Sequence, residues 1–317
     1  MTTEIGKNID EAKAHLLNGD VVAIPTETVY GLAGNALNEE AVIKIFEAKN
    51  RPHFNPLIIH LPFWNDVKKY VTYIPEHAHT LAMHFSPGPI TYLLPKKATI
   101  PDIITAGSKK VAVRIPAHPV TLQLLRAIDF PLAAPSANQF GYVSPTSPEH
   151  VYNSLKGRIP FILDGGSSNI GVESTIVDFE GDDIIIRRNG GISKEEIEAV
   201  LGFPVSSATE ASEHPVAPGQ LKSHYATNTP LYMVEASSLT GHNHDNTITI
   251  GFGIQHADAT FNLSPEGDLH EAAKHLFELL RIADAQNAEA IYVSEVPNTG
   301  IGVAINDRLQ RAQHQMK

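Results

Sequence analysis

Apolar residues in the first two hundred positions alternate between short unbroken runs and stretches with a three-to-four-residue period. That is the pattern of strands interleaved with helices. Ile9, Ala12, Leu16 and Leu17 share one helical face; Asn8 or Asp10 can cap the start, and Gly19 ends it. The run 21–24 reads as a buried strand stopped by Pro25, which lacks the N–H a ladder needs. Asn38 caps a second helix that buries Val42, Ile45 and Phe46, and Pro52 keeps it from continuing past Arg51. Pro75 opens a third helix at a position where proline is tolerated. Further helices are predicted over 120–128 and 148–155, and another follows the capping box Ser193–Glu196 as far as Leu201. Strands are predicted at 57–61, 91–94, 111–115, 131–134, 161–163, 174–179 and 184–187.

From 206 to 229 the periodicity disappears into serine, threonine, glutamate, proline and glycine, the composition of a linker. Strands at 231–234, 247–251 and 290–293, a helix over 269–283 and a final helix from about Val303 then predict a small parallel α/β domain. The chain thus divides into a larger α/β unit at 1–205, a linker at 206–229 and a smaller α/β domain at 230–317.

Composition narrows the function. With 317 residues, 42% hydrophobic and 19% charged, this is an ordinary globular chain of about two domains. No apolar run follows Met1 and none nears the roughly 20 residues that cross a bilayer, so a cytoplasmic protein without a membrane partner is expected. The absence of cysteine excludes disulfides, thiolate zinc sites and a cysteine nucleophile. A formal charge of −11 argues against a nucleic-acid coat but leaves room for a local basic pocket. The 16 histidines are scattered without an H-E-x-x-H, so no protein-held metal is assigned.

The candidate chemistry gathers at strand ends. P-T-E-T-V-Y-G-L (25–32) offers two hydroxyls and a carboxylate where open α/β sheets usually bind ligands. Lys49 and Arg51 lie two apart on a proline-stiffened loop, a point charge and a fork that suit phosphate. The same arrangement also serves as a solvated helix end whose cations complement the dipole. Arg114 stands inside an apolar strand and needs an anionic partner, either a ligand carboxylate or an internal ion pair. Pro87-Gly88-Pro89 reads as turn geometry, Ala134-Pro135-Ser136-Ala137-Asn138 as a small-residue approach to a ligand or an ordinary turn, and 171–175 as a connection. Of Arg187 and Arg188, strand alternation lets only one face a given side. No acid pair or nucleophile–base pair accompanies these groups.

P-T-E-T-V-Y-G-L, K-N-R-P-x-x-N-P-L-I-I-H, S-P-G-P-I-T, V-A-V-R-I-P-A-H-P, A-P-S-A-N and G-V-E-S-T-I, in this order, resemble the YrdC family. The linker A-P-G-Q-L-K-S-H-Y-A-T and the last domain look like its long, two-domain form, so the resemblance covers nearly the whole chain. It implies a mixed, twisted YrdC-like sheet with helices, followed by the small α/β domain. It also implies an ATP-dependent nucleotidyl transfer, in which L-threonine, bicarbonate and ATP give threonylcarbamoyl-adenylate and pyrophosphate. Partner proteins then pass the threonylcarbamoyl group to a tRNA adenosine beside the anticodon. Carried over by motif position, Thr28, His60, Arg114, Ala134 and Ser174 would contact threonine. Arg51, Asn55, Lys110, Ser136, Asn138, Ser144 and Arg188 would contact ATP, with Lys49 and Arg51 as the catalytic cations. Magnesium would ride on the nucleotide phosphates. Departures are confined to Gln220-Leu221-Lys222-Ser223, Asn189 and the loop 167–170.

The expected catalysis is positioning and charge neutralisation around an in-line displacement. The His224-Tyr225 end of the linker suggests a lid over a labile adenylate, with a passive tether as the alternative. An RNA-binding module is disfavoured by the −11 charge and 7% aromatics. Carbamoyl transfer of the hydrogenase-maturation kind is disfavoured by the missing cysteines. A sugar-phosphate synthase of similar fold is disfavoured by the missing acidic metal cluster.

Overall fold

A computed structural model describes residues 1–52, 55–208 and 225–313. The larger unit runs β1 (Glu4–Gly6), α1 (Ile9–Leu17), β2 (Val22–Ile24), β3 (Gly31–Asn35), α2 (Glu39–Lys49) and β4 (Ile58–His60). It continues with α3 (Glu76–Phe85), β5 (Ile90–Pro95), α4 (Asp102–Thr105), β6 (Lys110–Arg114), α5 (Pro119–Arg126), β7 (Leu132–Ala133) and α6 (Pro148–Leu155). β8 (Phe161–Leu163), β9 (Thr175–Glu180), β10 (Asp183–Arg188), α7 (Lys194–Leu201) and β11 (Ser206–Ser207) complete it.

Local chemistry explains the helix ends. The Asn8 side chain accepts the Asp10 N–H at 3.0 Å, and Asn38 accepts those of Glu40 and Ala41 at 3.0 and 3.3 Å. α2 terminates because Asn50 adopts a left-handed conformation, φ 52°, which turns the chain toward Arg51. The Ser193–Glu196 capping box closes α7 at its start. α2 then buries Val42, Ile45 and Phe46 against the sheet, each contributing about 1.5–3 kcal/mol. Truncating Phe46 to alanine is the single change most damaging to that contact.

The strands form an 11-stranded mixed sheet in the order β1-β8-β2-β3-β7-β4-β6-β5-β9-β10-β11. Of these, β1, β3 and β11 have no counterpart in the periodicity. β3 reads G-L-A-G-N, residues of poor strand propensity, and is a strand because β2 and β7 pair with its two edges. One face of the sheet is covered by α2, α3 and α7 around the main core. The other face is covered only in part, where α1 and α5 pack Leu16, Leu124 and Leu125 onto Val22, Ile24 and Leu132. Beyond them, over β4, β6 and β9, the sheet face is left to the functional site.

The smaller unit comprises β12 (Leu231–Val234), β13 (Thr247–Gly251), β14 (Phe261–Asn262), α8 (Leu269–Asp284), β15 (Ala290–Ser294) and α9 (Gly302–Ala312). Its four strands are parallel, in the order β12-β15-β13-β14. Leu276, Phe277 and Leu280 of α8 and Ile305 and Leu309 of α9 share a core with Val29, Val143, Val172 and Tyr225 of the larger unit and its connection. The two units therefore dock through common apolar contacts. Gly171, at φ 81°, lets the chain pass α8 so closely that a Cβ there would sit 2.2 Å from the Ala273 carbonyl. Among the described residues no helix is long and apolar enough to cross a membrane. Most of the linker, including His224, lies outside the described residues.

Candidate functional site

Strand pairing assembles the site. Parallel β4 and β6 set His60 beside Arg114, and antiparallel β7 brings the Ala134 N–H to the Ile58 carbonyl at 3.1 Å. Leu32 then donates to the Pro135 carbonyl at 2.7 Å and Ala137 to the Tyr30 carbonyl at 2.8 Å, tying the A-P-S-A-N loop beside the P-T-E-T turn. Ile58 and His60 point to one face of β4 while Ile59 enters the main core on the other. The cavity thus lies over the open face of the sheet, rather than beyond the strand ends as the sequence pattern suggested. It holds about 50 Å³ of free space and is lined by Arg51, Ile58, His60, Arg114, Ala134, Ser136, Glu173, Arg188 and Tyr225, with Val29 and Pro56 among their neighbours.

Each cation is held differently. Arg114 Nη2 donates to Glu27 Oε1 at 2.6 Å and its Nε to the Gly88 carbonyl at 3.3 Å, while Glu27 Oε2 accepts the Ala117 N–H at 3.0 Å. An internal ion pair is therefore the anionic partner of Arg114, and the S-P-G-P turn is part of its support. Arg51 Nη2 donates to the Pro56 carbonyl at 3.0 Å and the Asn55 carbonyl at 3.4 Å. Burial and the charge of Arg188 lower it to about 9. Arg188 donates from Nε and Nη2 to the Ser174 carbonyl at 3.0 and 2.9 Å and to the Ser174 hydroxyl at 3.0 Å. Burial lowers Arg188 to about 10, so both guanidiniums remain charged at neutral pH. His60, buried and next to Arg114, is pushed down to about 3 and is a neutral imidazole.

The register slips between Ile186 and Arg188, where Arg188 pairs with Ile176. This β-bulge cancels the alternation. Arg187 reaches Asp178 and Arg188 reaches Ser174 on the same side of the sheet, which corrects the expectation that only one of the pair faces a given side. Gly190 packs against this corner so tightly that a Cβ would lie 2.3 Å from the Glu173 carbonyl.

Other expected residues surround the cavity without lining it. The P-T-E-T turn is buried rather than exposed: Thr28 is inaccessible, its hydroxyl 2.8 Å from that of Thr26. Lys49, expected to face phosphate, is turned away. Its Nζ donates to the carbonyls of Ser136 and Asn138, the latter at 2.6 Å, and burial together with Arg51 pushes its pKa far down. Asn138 donates to the Gln139 and Tyr142 carbonyls, Ser144 donates to Glu173 Oε1 at 2.7 Å, and the Ser174 hydroxyl meets that of Thr91 at 2.7 Å. Lys110 stands apart from the cavity lining. It begins β6, four residues from Arg114, and pairs with Asp178 Oδ1 at 2.5 Å outside the cavity. Tyr225 lines the cavity and stacks on Phe277 at 5.4 Å.

Buried polar atoms without a hydrogen-bond partner among the described residues gather here: Arg51 Nε, both amide atoms of Asn55, His60 Nδ1 and Asn138 Oδ1. Leaving such atoms unmatched costs about 1–3 kcal/mol each, so they mark the groups a polar ligand would satisfy. A resident metal does not fit. Among the described residues no three His, Asp or Glu side chains converge; Glu27, behind Arg114, is engaged by that arginine, and Glu173, in the lining, by Ser144 and Arg308. A larger open hollow of about 530 Å³ lies at the seam between the units, but its cation, Arg281, already donates to Val143, Ser144 and Ser154. The smaller cavity has the chemistry.

Sequence reasoning did not single out Glu27, Glu173 or Arg308 as site residues. The first two sit inside quoted motifs and were findable. Arg308 carries no local signal.

A family model described as "Telomere recombination" (Sua5, YciO and YrdC) matches residues 14–190, and one described as "Threonylcarbamoyl-AMP synthase, C-terminal domain" matches 192–313. The chain is 40% identical to the threonylcarbamoyl-AMP synthase of Bacillus subtilis over 98% of its length and 95% of that protein's. It superposes on the crystal structure of Pyrococcus abyssi Sua5 complexed with L-threonine with a TM-score of 0.89 and 37% identity, covering 98% of this chain and 97% of that one. The crystal structure of full-length HypF in the phosphate- and nucleotide-bound form matches at 25% identity and a TM-score of 0.52, covering 59% of this chain and 29% of that one. By sequence over both units and by structure over nearly its full length, this chain belongs to the Sua5/YciO/YrdC family in its two-domain form, that of the threonylcarbamoyl-AMP synthases.

Proposed function

We propose that this chain joins L-threonine, bicarbonate and ATP into threonylcarbamoyl-AMP and pyrophosphate, within the cavity over β4 and β6. The observation that carries the reading is one hollow walled by Arg51, Arg114 and Arg188 beside the small, neutral corner of His60, Ala134 and Ser136. Arg114 has five N–H donors, of which Glu27 and Gly88 take two, so its fork retains donors for the amino-acid carboxylate. His60, Thr28 and Ser174, with the Ala134 carbonyl, are the groups for the ammonium and hydroxyl. A site that matches a hydroxyl rejects analogues without one far better than an apolar wall does.

Threonine's amine adds to bicarbonate with loss of water to give the carbamate. A carbamate oxygen attacks the α-phosphorus in line, and the P–O bond to the β-phosphate breaks to release pyrophosphate. Arg51 and Arg188 neutralise the triphosphate, with Asn55, Ser136, Asn138 and Ser144 holding ribose and phosphate oxygens. Lys49 acts from behind, fixing the carbonyls of the loop that carries Ser136 and Asn138. Magnesium enters as part of the Mg·ATP substrate. In this division the larger unit (1–205) carries the chemistry, the connection (206–229) brings Tyr225 to the cavity, and the smaller unit (230–317) backs it. The adenylate is labile, so proteins that transfer its acyl group to tRNA are the expected partners, in the cytoplasm.

The test is incubation with threonine, bicarbonate and Mg·ATP, followed by mass detection of the adenylate and quantification of pyrophosphate. Stoichiometric appearance of both is expected. ATP consumption that is independent of threonine would overturn the reading.

A further inference from the structure

α9 of the small unit sends one side chain into the wall of the cavity. Arg308 is completely buried; its Nε donates to Glu173 Oε2 at 3.1 Å and its Nη1 to Asp307 Oδ2 at 2.9 Å. Arg311 grips the other oxygen of Asp307 at 3.0 Å, so the guanidinium is fixed from its own helix. It also lies 5.6 Å from the ring of Tyr225, and both Tyr225 and Glu173 line the cavity. Among the described residues Glu173 is the one carboxylate in that lining, on a wall otherwise assigned to a polyanion. A buried ion pair gives little net stability over an apolar pair of the same shape, so its presence calls for a use beyond holding the units together. Apolar contacts between the units already do that.

We propose that Arg308 is a positioning residue for the nucleotide: by pairing with Glu173 it cancels the negative charge that this carboxylate turns toward the triphosphate and keeps it from capturing Arg188. Glu173 immediately precedes Ser174, on whose carbonyl the Arg188 guanidinium rests, and the charges acting on it are Arg308 and then Arg188, so an uncompensated Glu173 has Arg188 as its remaining cation. The small unit thereby sets the electrostatics of a site carried by the larger one. This inference rests on the proposed synthase reading.

The experiment compares the full-length wild type with Arg308→Gln, Arg308→Lys, Glu173→Gln and the Arg308→Gln/Glu173→Gln double variant. KM for ATP and for threonine, kcat and Tm are measured for each. Arg308→Gln is expected to raise KM for ATP about tenfold or more and that for threonine less than about threefold. Arg308→Lys, which keeps the charge, is expected to recover most of the loss. Adding Glu173→Gln is expected to bring KM for ATP back to that of Glu173→Gln alone, a strongly non-additive cycle. Calorimetric titration with Mg·ATP reads the same pattern without turnover and serves if the wild type forms no adenylate. That last result would overturn the synthase reading alone. Losses that multiply, or a uniform fall in kcat and both affinities that follows Tm, would overturn the role of Arg308 while leaving the synthase intact.

Discussion

Two clusters of basic side chains sit on the same face of the large sheet, and they differ in what the chain places opposite them. Lys110 and Arg187 close on Asp178 at 2.5 and 2.9 Å, and Arg187 also reaches Glu180, so two cations meet two carboxylates. In the cavity, Arg114 has Glu27 and Glu173 has Arg308, while Arg51 and Arg188 lean on main-chain carbonyls. The first cluster is balanced by its own chain and partly solvated. The second is buried, and among the described residues Arg51 and Arg188 are held by oxygens of the main chain and of Ser174. A carbonyl bears no net charge, so a guanidinium resting on one keeps its attraction for an incoming anion. The kind of partner, carboxylate or carbonyl, more than the number of arginines, separates the binding site from the structural network.

The strongest test of that contrast is catalytic. Arg51→Ala and Arg188→Ala are each expected to lower pyrophosphate release by about 10²–10³-fold, the usual loss for a group that stabilises developing charge. Lys110→Ala is expected to stay within about threefold, because Lys110 faces Asp178. A Lys110 variant as damaged as the two arginine variants would erase the distinction and restore its assignment to ATP. Next in size, Arg114→Lys should raise KM for threonine about 10–100-fold with a smaller change in kcat, since a point charge cannot replace the fork that spans Glu27 and a carboxylate. An unchanged threonine KM would move the amino acid elsewhere in the cavity.

The balanced cluster should answer in stability instead. Asp178 is buried, but Lys110 and Arg187 are partly exposed, so water screens them once the carboxylate is gone. Asp178→Ala is expected to cost about 2 kcal/mol, below the 3–5 kcal/mol seen for fully buried pairs, and to lower Tm by a few degrees at near-normal turnover per folded molecule. Lost turnover at an unchanged Tm would place this cluster in the mechanism.

The contrast also shows which parts of the molecule the sequence made legible. The caps Asn8, Asn38 and Ser193 act within three residues, so composition alone revealed them. β3 was invisible because its two neighbours, not its own G-L-A-G-N, make it a strand. Seven of the cavity-lining residues were named as site residues from the sequence: Arg51, His60, Arg114, Ala134, Ser136, Arg188 and Tyr225. They did not say that Lys49 would turn to carbonyls or Lys110 to Asp178, because a cation's partner is chosen across the sheet. The pairs Glu27–Arg114 and Glu173–Arg308 span 87 and 135 residues, beyond any local pattern. The bulge that turns both Arg187 and Arg188 to one face is likewise set by pairing with β9, where alternation had to fail.

The smallest effect probes the neutral corner of the cavity. His60 is held near 3 by burial and by Arg114, against an ordinary 6.5. Between those values the unfolded chain binds a proton that the folded chain refuses, so stability rises with pH there. The contribution of His60 is complete above pH 6.5 and is lost as pH falls toward 3. From pH 7.5 to 5 this amounts to about 2 kcal/mol, one proton over roughly 1.5 pH units. His150, lowered to about 4 mainly by burial and also by Arg281, adds a dependence of the same sign and persists when His60 is replaced. Denaturant unfolding at the two pH values should therefore show a drop in the wild type that shrinks by about 2 kcal/mol in His60→Asn. Parallel drops in both proteins would mean that His60 takes up its proton while folded, and that burial and Arg114 oppose its charge less than the geometry implies.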